Sequence, residues 1–193
     1  MSMKRAERRQ RTREAILEAA AQEFEACGYS KATLQAVADR LGIVKGTVLF
    51  HFQSKDALRQ NLIEWANERL SEAVTECQDF EQWRSMLTAI AELYYKDARI
   101  RAGLMLHDED IQNDAYHQLE WEQKLAIQTE KFIKRKNDIG SAIARQAMQT
   151  MYSSIIRRRW RDMSELLQAL DFMFSLLAGY NERDDSIDRY KKQ

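Results

Sequence analysis

The sequence predicts an all-α protein, and three observations predict it. Apolar residues recur at helical spacing along most of the chain, and sustained period-two alternation is missing. There is no proline in 193 residues, and Gly28, Gly42, Gly46, Gly103, Gly140 and Gly179 each fall where an apolar stripe stops or restarts. Residues 33–52, TLQAVADRLGIVKGTVLFHF, read as two short helices joined by a tight turn.

Composition narrows the function classes. The formal charge is zero, from 30 Lys/Arg and 30 Asp/Glu. Residues 1–59 hold 11 basic against 7 acidic side chains, net +4, which leaves net −4 for residues 60–193. A basic head on an acidic body suits a protein that meets phosphate at one end. Cys27 and Cys77 are too few and too far apart for a disulfide framework or a zinc knuckle, so a reducing cytoplasm is the expected location. No apolar run approaches the ~20 residues that span a bilayer, so no membrane partner is expected. Nothing resembles a phosphate loop, a nucleophile with its base, or paired carboxylates in an apolar setting, so an enzyme is the weakest reading. No cofactor is expected.

The first element begins in a basic run. Lys4, Arg5, Arg8, Arg9, Arg11 and Arg13, with Glu7 alone opposing them, make either a frayed, solvated terminus or an arm for phosphate or a minor groove. Ile16, Leu17, Ala20, Phe24 and Cys27 follow as one apolar face, closed by Gly28. Thr33 can cap the next helix through its hydroxyl, Leu34, Val37, Ala38 and Leu41 form its buried stripe, and Gly42 ends it in the left-handed conformation. After the turn a helix restarts at Thr47 and runs to Phe52, the geometry of a helix-turn-helix whose second helix enters a major groove.

The candidate DNA-binding residues are therefore Thr33, Gln35, Lys45, Gly46, Thr47, Phe50, His51 and Lys55. Lys45 can donate to guanine or to phosphate, and Thr47 is short enough to reach either. Gly46 allows close backbone approach or is simply a turn residue. His51 has no second His or carboxylate at helical spacing, which favours a packed or phosphate-facing role over metal ligation. Ser54 is the expected cap of the next helix, where the N–H groups and Lys55 could clamp a phosphate.

A long helix is expected from Asp56 to about Gln78, with Leu58, Leu62, Trp65, Leu70, Val74 and Cys77 on one side. Helical stripes then recur through residues 80–180. Trp83, Met86, Ile90, Tyr94, Leu104, Trp121, Leu125, Met148, Met151 and Tyr152 read as core position by position, and as a set they could wall a site for an apolar effector. His107-Asp108-Glu109-Asp110, with His117 downstream, offers metal-type ligands at the wrong spacing, so a solvated loop and no metal are expected. Arg157-Arg158-Arg159-Trp160-Arg161 reads as cations at a helix C-terminus rather than a second nucleic-acid patch. Residues 181–193 read as a mobile, charged tail.

The run from 11 to 62 resembles the DNA-binding domain of the tetracycline-repressor (TetR) family. The matching residues are Phe24, Gly28-Tyr29, Thr33, Val37-Ala38, Leu41-Gly42-Ile43, Lys45-Gly46-Thr47, His51-Phe52, Ser54-Lys55 and Leu58. Beyond Leu62 the resemblance is architectural. It implies a three-helix helix-turn-helix domain over 1–55, a helical effector-binding and dimerisation bundle over 56–180, and the long helix as their connector. It also implies a homodimer built on the last two helices, a double-stranded operator, and a small-molecule effector held inside the body. Leu49 departs from the pattern, since such proteins carry a phosphate-contacting tyrosine there. Lys45-Gly46, Phe50-His51-Phe52, residues 100–104 (IRAGL) and Trp121 also resemble the γ-butyrolactone-receptor branch, which would put Trp121 at the effector. The expected function is a dimeric repressor released from a palindromic operator by an apolar or amphipathic molecule; the alternative is a DNA binder that senses nothing or answers to a protein.

Overall fold

The computed structural model describes residues 2–111, 118–132, 150, 152, 154 and 162–190. Among them are eight α-helices and no strand. They are α1 (Ser2–Lys31), α2 (Leu34–Leu41), α3 (Lys45–His51), α4 (Lys55–Ala73), α5 (Phe80–Lys96), α6 (Ala98–Ile111), α7 (Glu120–Phe132) and α8 (Met163–Tyr190). No described helix is long and apolar enough to cross a membrane. By compactness the chain divides into one unit of Met1–Leu70 with Lys96–Leu119, and another of Ser71–Tyr95 with Glu120–Gln193.

The first unit is organised around α1. Ile16, Leu17, Ala19, Ala20, Ala21 and Phe24 are all buried. So many adjacent positions cannot lie on one face of a helix at 3.6 residues per turn, and α1 accordingly packs against both α2 and α6. The alanines let those neighbours come close. Gly103 of α6 does the same towards α4: a side-chain carbon there would lie 2.8 Å from Ala66 Cβ and closer still to the Leu62 carbonyl oxygen. Cations tie the elements together. Arg101 reaches Glu25 of α1 through two bonds of 2.7 and 3.2 Å, and Arg59 of α4 donates to the Leu106 carbonyl at 2.9 Å. Arg99 grips Asp97 and lies 4.2 Å from the centre of the Trp65 ring. Burial alone would raise the Asp97 carboxyl, but the bonds from Arg99 outweigh it and hold it below the usual range.

The second unit centres on aromatic and methionine side chains. Trp83, Met86, Leu87 and Ile90 line the buried face of α5 at helical spacing. The Trp83 indole donates to the buried Thr129 hydroxyl at 3.4 Å and meets Phe174 edge-on at 6.0 Å. The buried Tyr152 hydroxyl donates to the Leu87 carbonyl at 2.8 Å, and burial pushes its phenol well above its ordinary range. Arg84 pairs with Asp171 at 2.7 Å and lies over Phe174.

Several boundaries differ from those the sequence suggests. α4 stops at Ala73 rather than near Gln78, because Asp79 already caps α5 by accepting from the Gln82 N–H at 2.8 Å, while the Gln82 side chain accepts from the Gln78 N–H at 3.1 Å. His107 to Asp110 are not a loop. They lie in α6, where His107 extends the buried stripe of Ile100, Gly103 and Leu104 and is itself only 1 % exposed. The chain is helical from Ser2, so the basic run opens α1 instead of fraying, and α8 carries residues 181–190 as helix. His117 and the Arg157 to Arg161 run fall outside the described residues.

Candidate nucleic-acid interface

The α2–turn–α3 corner is fixed locally at each joint. Thr33 sits extended, with φ −130° and ψ 150°, and its hydroxyl accepts from the Ala36 N–H at 3.1 Å. Gly42 adopts φ 63°, where a side chain would strain the backbone, and the Ile43 N–H reaches back to the Ala38 carbonyl at 3.1 Å. α3 begins at Lys45, two residues before the predicted restart, and the Val44 carbonyl accepts from the Thr47 N–H at 2.8 Å. Val48 and Phe52 are buried and anchor α3 from behind. Arg40 pairs with Glu23 at 2.7 Å and fastens α2 to α1.

With Val48 turned inwards, Lys45, Gly46, Leu49 and Phe50 occupy the outer face of α3, all exposed. Thr47 and His51 are half-buried at its flanks. Phe50 is 68 % exposed and Val44, just ahead of the helix, 72 %. Thr33 and Gln35 are exposed on α2, though both side chains are engaged, Thr33 as cap and Gln35 in a 2.7 Å bond to Asp39. The basic start of α1 comes to the same place. The Arg9 guanidinium lies 5.4 Å from the centre of the Phe50 ring, and Arg13 lies 4.4 Å from that of Phe52. Lys4, Arg5, Arg8 and Arg11 are exposed nearby in sequence on the same helix. Burial, then Arg9 and Arg13, lower the His51 imidazole below its usual pKa.

Lys55 is placed differently from the other candidates. Its ammonium donates to the carbonyls of Tyr29, Ser30 and Ala32 at 2.8, 3.4 and 3.1 Å and lies 4.3 Å from the Tyr29 ring centre. All three of its donors are thereby spent on the end of α1, which Gly28 breaks at φ 78°. The Tyr29 hydroxyl in turn bonds Asp56; burial and that bond push its phenol up to about 12. Ser54 caps α4 by accepting from the Ala57 N–H at 3.0 Å.

Sequence reasoning passed over Val44 as a surface group and the seating of Arg9 and Arg13 on the two phenylalanines. The spacing was a readable signal, since 9 and 13 share one helical face. Of the residues proposed for an effector, Trp83, Met86, Ile90, Trp121, Leu125 and Tyr152 are buried and Tyr94 half-buried, all in the second unit, whereas Leu104 is buried in the first. Met148 and Met151 lie outside the described residues. No group of three metal-type side chains occurs among those described.

The family model for bacterial regulatory proteins of the tetR family matches residues 16–62. Over that stretch the chain is similar to the TetR family. The HTH-type transcriptional regulator TtgR of Pseudomonas putida is 32% identical over 101 residues, 49% of this chain and 48% of that one. The chain spans about half the length of the curated relatives it matches. A solved structure described as the molecular basis for control of antibiotic production by a bacterial hormone is 26% identical, covers 86% of this chain and 95% of its own, and has a TM-score of 0.64. A gamma-butyrolactone receptor (ArpA-like protein) shares the fold at 18% identity and a TM-score of 0.62, covering 86% and 97%. The family and these curated relatives are transcriptional regulators, not enzymes.

Proposed function

We propose that this chain is a homodimeric transcriptional repressor of the TetR family that leaves a palindromic operator when a small amphipathic molecule occupies its second unit. The observation that carries the reading is the outer face of α3, with Lys45, Gly46, Leu49 and Phe50 presented outwards beside the basic start of α1. The working contacts are Lys45, Gly46, Thr47 and Phe50 at the bases and Thr33, Gln35 and His51 at the backbone. Lys55 holds the end of α1 in place, and the cations of α1 supply the phosphate contacts that Leu49 cannot make. Dimerisation through α8 is supported by Phe172 and Leu176, 65 % and 50 % exposed one helical turn apart. In a dimer two copies of α3 must reach half-sites about 34 Å apart, so a small shift of α4 suffices to lift one from its groove. Trp83, Met86, Ile90, Tyr94, Trp121, Leu125 and Tyr152 supply adaptable apolar walls for the effector, and the relatives above make a small lactone the first class to try.

Fluorescence anisotropy on the DNA upstream of the chain's own coding sequence tests the reading. Expected are specific binding that survives competitor DNA, a log–log salt slope of several units, and release by a ligand that also raises the melting temperature. Binding indifferent to sequence, or a slope near zero, overturns it.

A further inference from the structure

The outer face of α3 is poor in hydrogen-bonding groups. Of Val44, Lys45, Gly46, Leu49 and Phe50, only Lys45 carries a polar side chain. Three of the five are large apolar groups left in solvent, at 72, 38 and 68 % exposure for Val44, Leu49 and Phe50. Water disfavours that surface by roughly 25 cal/mol per Å². The Phe50 ring is also held from two sides: His51 meets it edge-on at 5.3 Å and 89°, and the Arg9 guanidinium lies over it at 5.4 Å. One helical turn before it, nothing lies within 4 Å of where a Gly46 side chain would begin, so a base edge can come close to the backbone there. In a major groove the one apolar feature on base edges is the thymine C5-methyl group.

We propose that α3 reads thymine methyl groups by apolar contact, with Phe50 as the principal reader, Leu49 and Val44 flanking it, and Lys45 as the hydrogen-bonding complement. The inference rests on the reading of α3 as a DNA reader and deepens it. The cations of α1 favour this occupant, since a surface flanked by Arg5, Arg8 and Arg9 suits a polyanion rather than a second apolar protein face. Leu49, 38 % exposed on the same face, offers no hydrogen bond and so can meet only an apolar group.

The test uses the full chain and an operator selected from random duplexes. Each thymine is replaced in turn by deoxyuridine, which removes the methyl and nothing else. Expected is a loss of about fourfold in affinity at one or two thymines per half-site, the equivalent of one buried methyl. That loss should vanish in Phe50→Ala and in Phe50→Gln, two changes at an exposed site checked for folding by circular dichroism. A deoxyuridine series flat to within about 1.5-fold, or a penalty unchanged in both variants, overturns methyl reading while leaving the repressor intact. Failure to select any sequence overturns the DNA reading itself and this inference with it.

Discussion

The two compact units solve opposite packing problems. The first combines a core of Ile, Leu and Phe24 with small residues and cations: Ala19 to Ala21, Ala66, Ala102 and Gly103 allow close helix approach, and Arg59, Arg101 and Lys55 each reach a backbone carbonyl or a carboxylate on another element. The second centres on Trp83, Phe174, Tyr152, Met86 and Met173, large aromatic and thioether groups, with the Arg84–Asp171 pair beside them. Close contact between backbones leaves no slack, because neither side can move to another rotamer. Methionine and aromatic cores repack at modest cost. A reader whose angle decides which groove it meets needs the first kind of packing, and a site that accepts a guest benefits from the second.

The sharpest way to break this contrast is one substitution in each unit. Gly103→Ala gains about 1 kcal/mol of helix propensity, but the added carbon meets the Leu62 carbonyl oxygen and, at 2.8 Å, Ala66 Cβ, and backbone cannot swing aside. Overpacking costs about 1 to 3 kcal/mol and occasionally more. A contact this close to backbone belongs at the upper end of that range, so the clash should win, with a net loss of about 1 to 2 kcal/mol in urea denaturation. Met86→Leu in the second unit, beside the Cys77 sulfur at 3.8 Å, should cost less than about 1.5 kcal/mol. Equal losses from the two substitutions would erase the distinction.

Lys55→Met ranks next. It keeps the stem and removes three charge-assisted bonds and the contact with Tyr29. Because the site is half-buried, water replaces part of what is lost, and about 1 to 2 kcal/mol of stability should go. A variant of unchanged stability that binds operator weakly would instead return Lys55 to the DNA surface.

What the sequence discloses and what it hides separate along the same line. Thr33, Gly42 and Ser54 were legible because each acts within three to five residues of itself, and a cap or a left-handed turn needs only its own neighbours. Lys55 was not, since its partners are 23 to 26 residues upstream and only the folded end of α1 brings their carbonyls together. Gly103 marks a close approach to Leu62 and Ala66 that no local pattern encodes. His107 shows a different failure. Its spacing from Ile100 and Leu104 placed it on the buried stripe, but the acidic residues that follow it made the segment read as a loop. The candidate face of α3 was legible at Lys45 and Phe50, which the sequence already places outwards, and not at Leu49 or Val44, whose exposure depends on Val48 and Phe52 being taken by the core behind.

The smallest expected effect lies where the first unit meets solvent. Burial, and then Arg9 and Arg13, depress the His51 pKa below 6.5, so the unfolded chain takes up a proton more readily than the folded one. The stability linked to His51 is therefore complete above pH 6.5 and is lost as the pH falls through the folded value. Urea midpoints measured at pH 7.5 and 5.5 should drop in the native chain and drop less in His51→Gln. Arg9→Gln together with Arg13→Gln should also flatten the difference, by removing the cations that repel an imidazolium. On DNA the sign reverses, because a nearby phosphate favours the protonated ring, and operator affinity should rise as the pH falls towards 6. A midpoint that climbs on acidification in the native chain and not in His51→Gln would mean that an acidic neighbour, not the α1 arginines, governs the imidazole, and the seating of α1 against α3 would have to be redrawn.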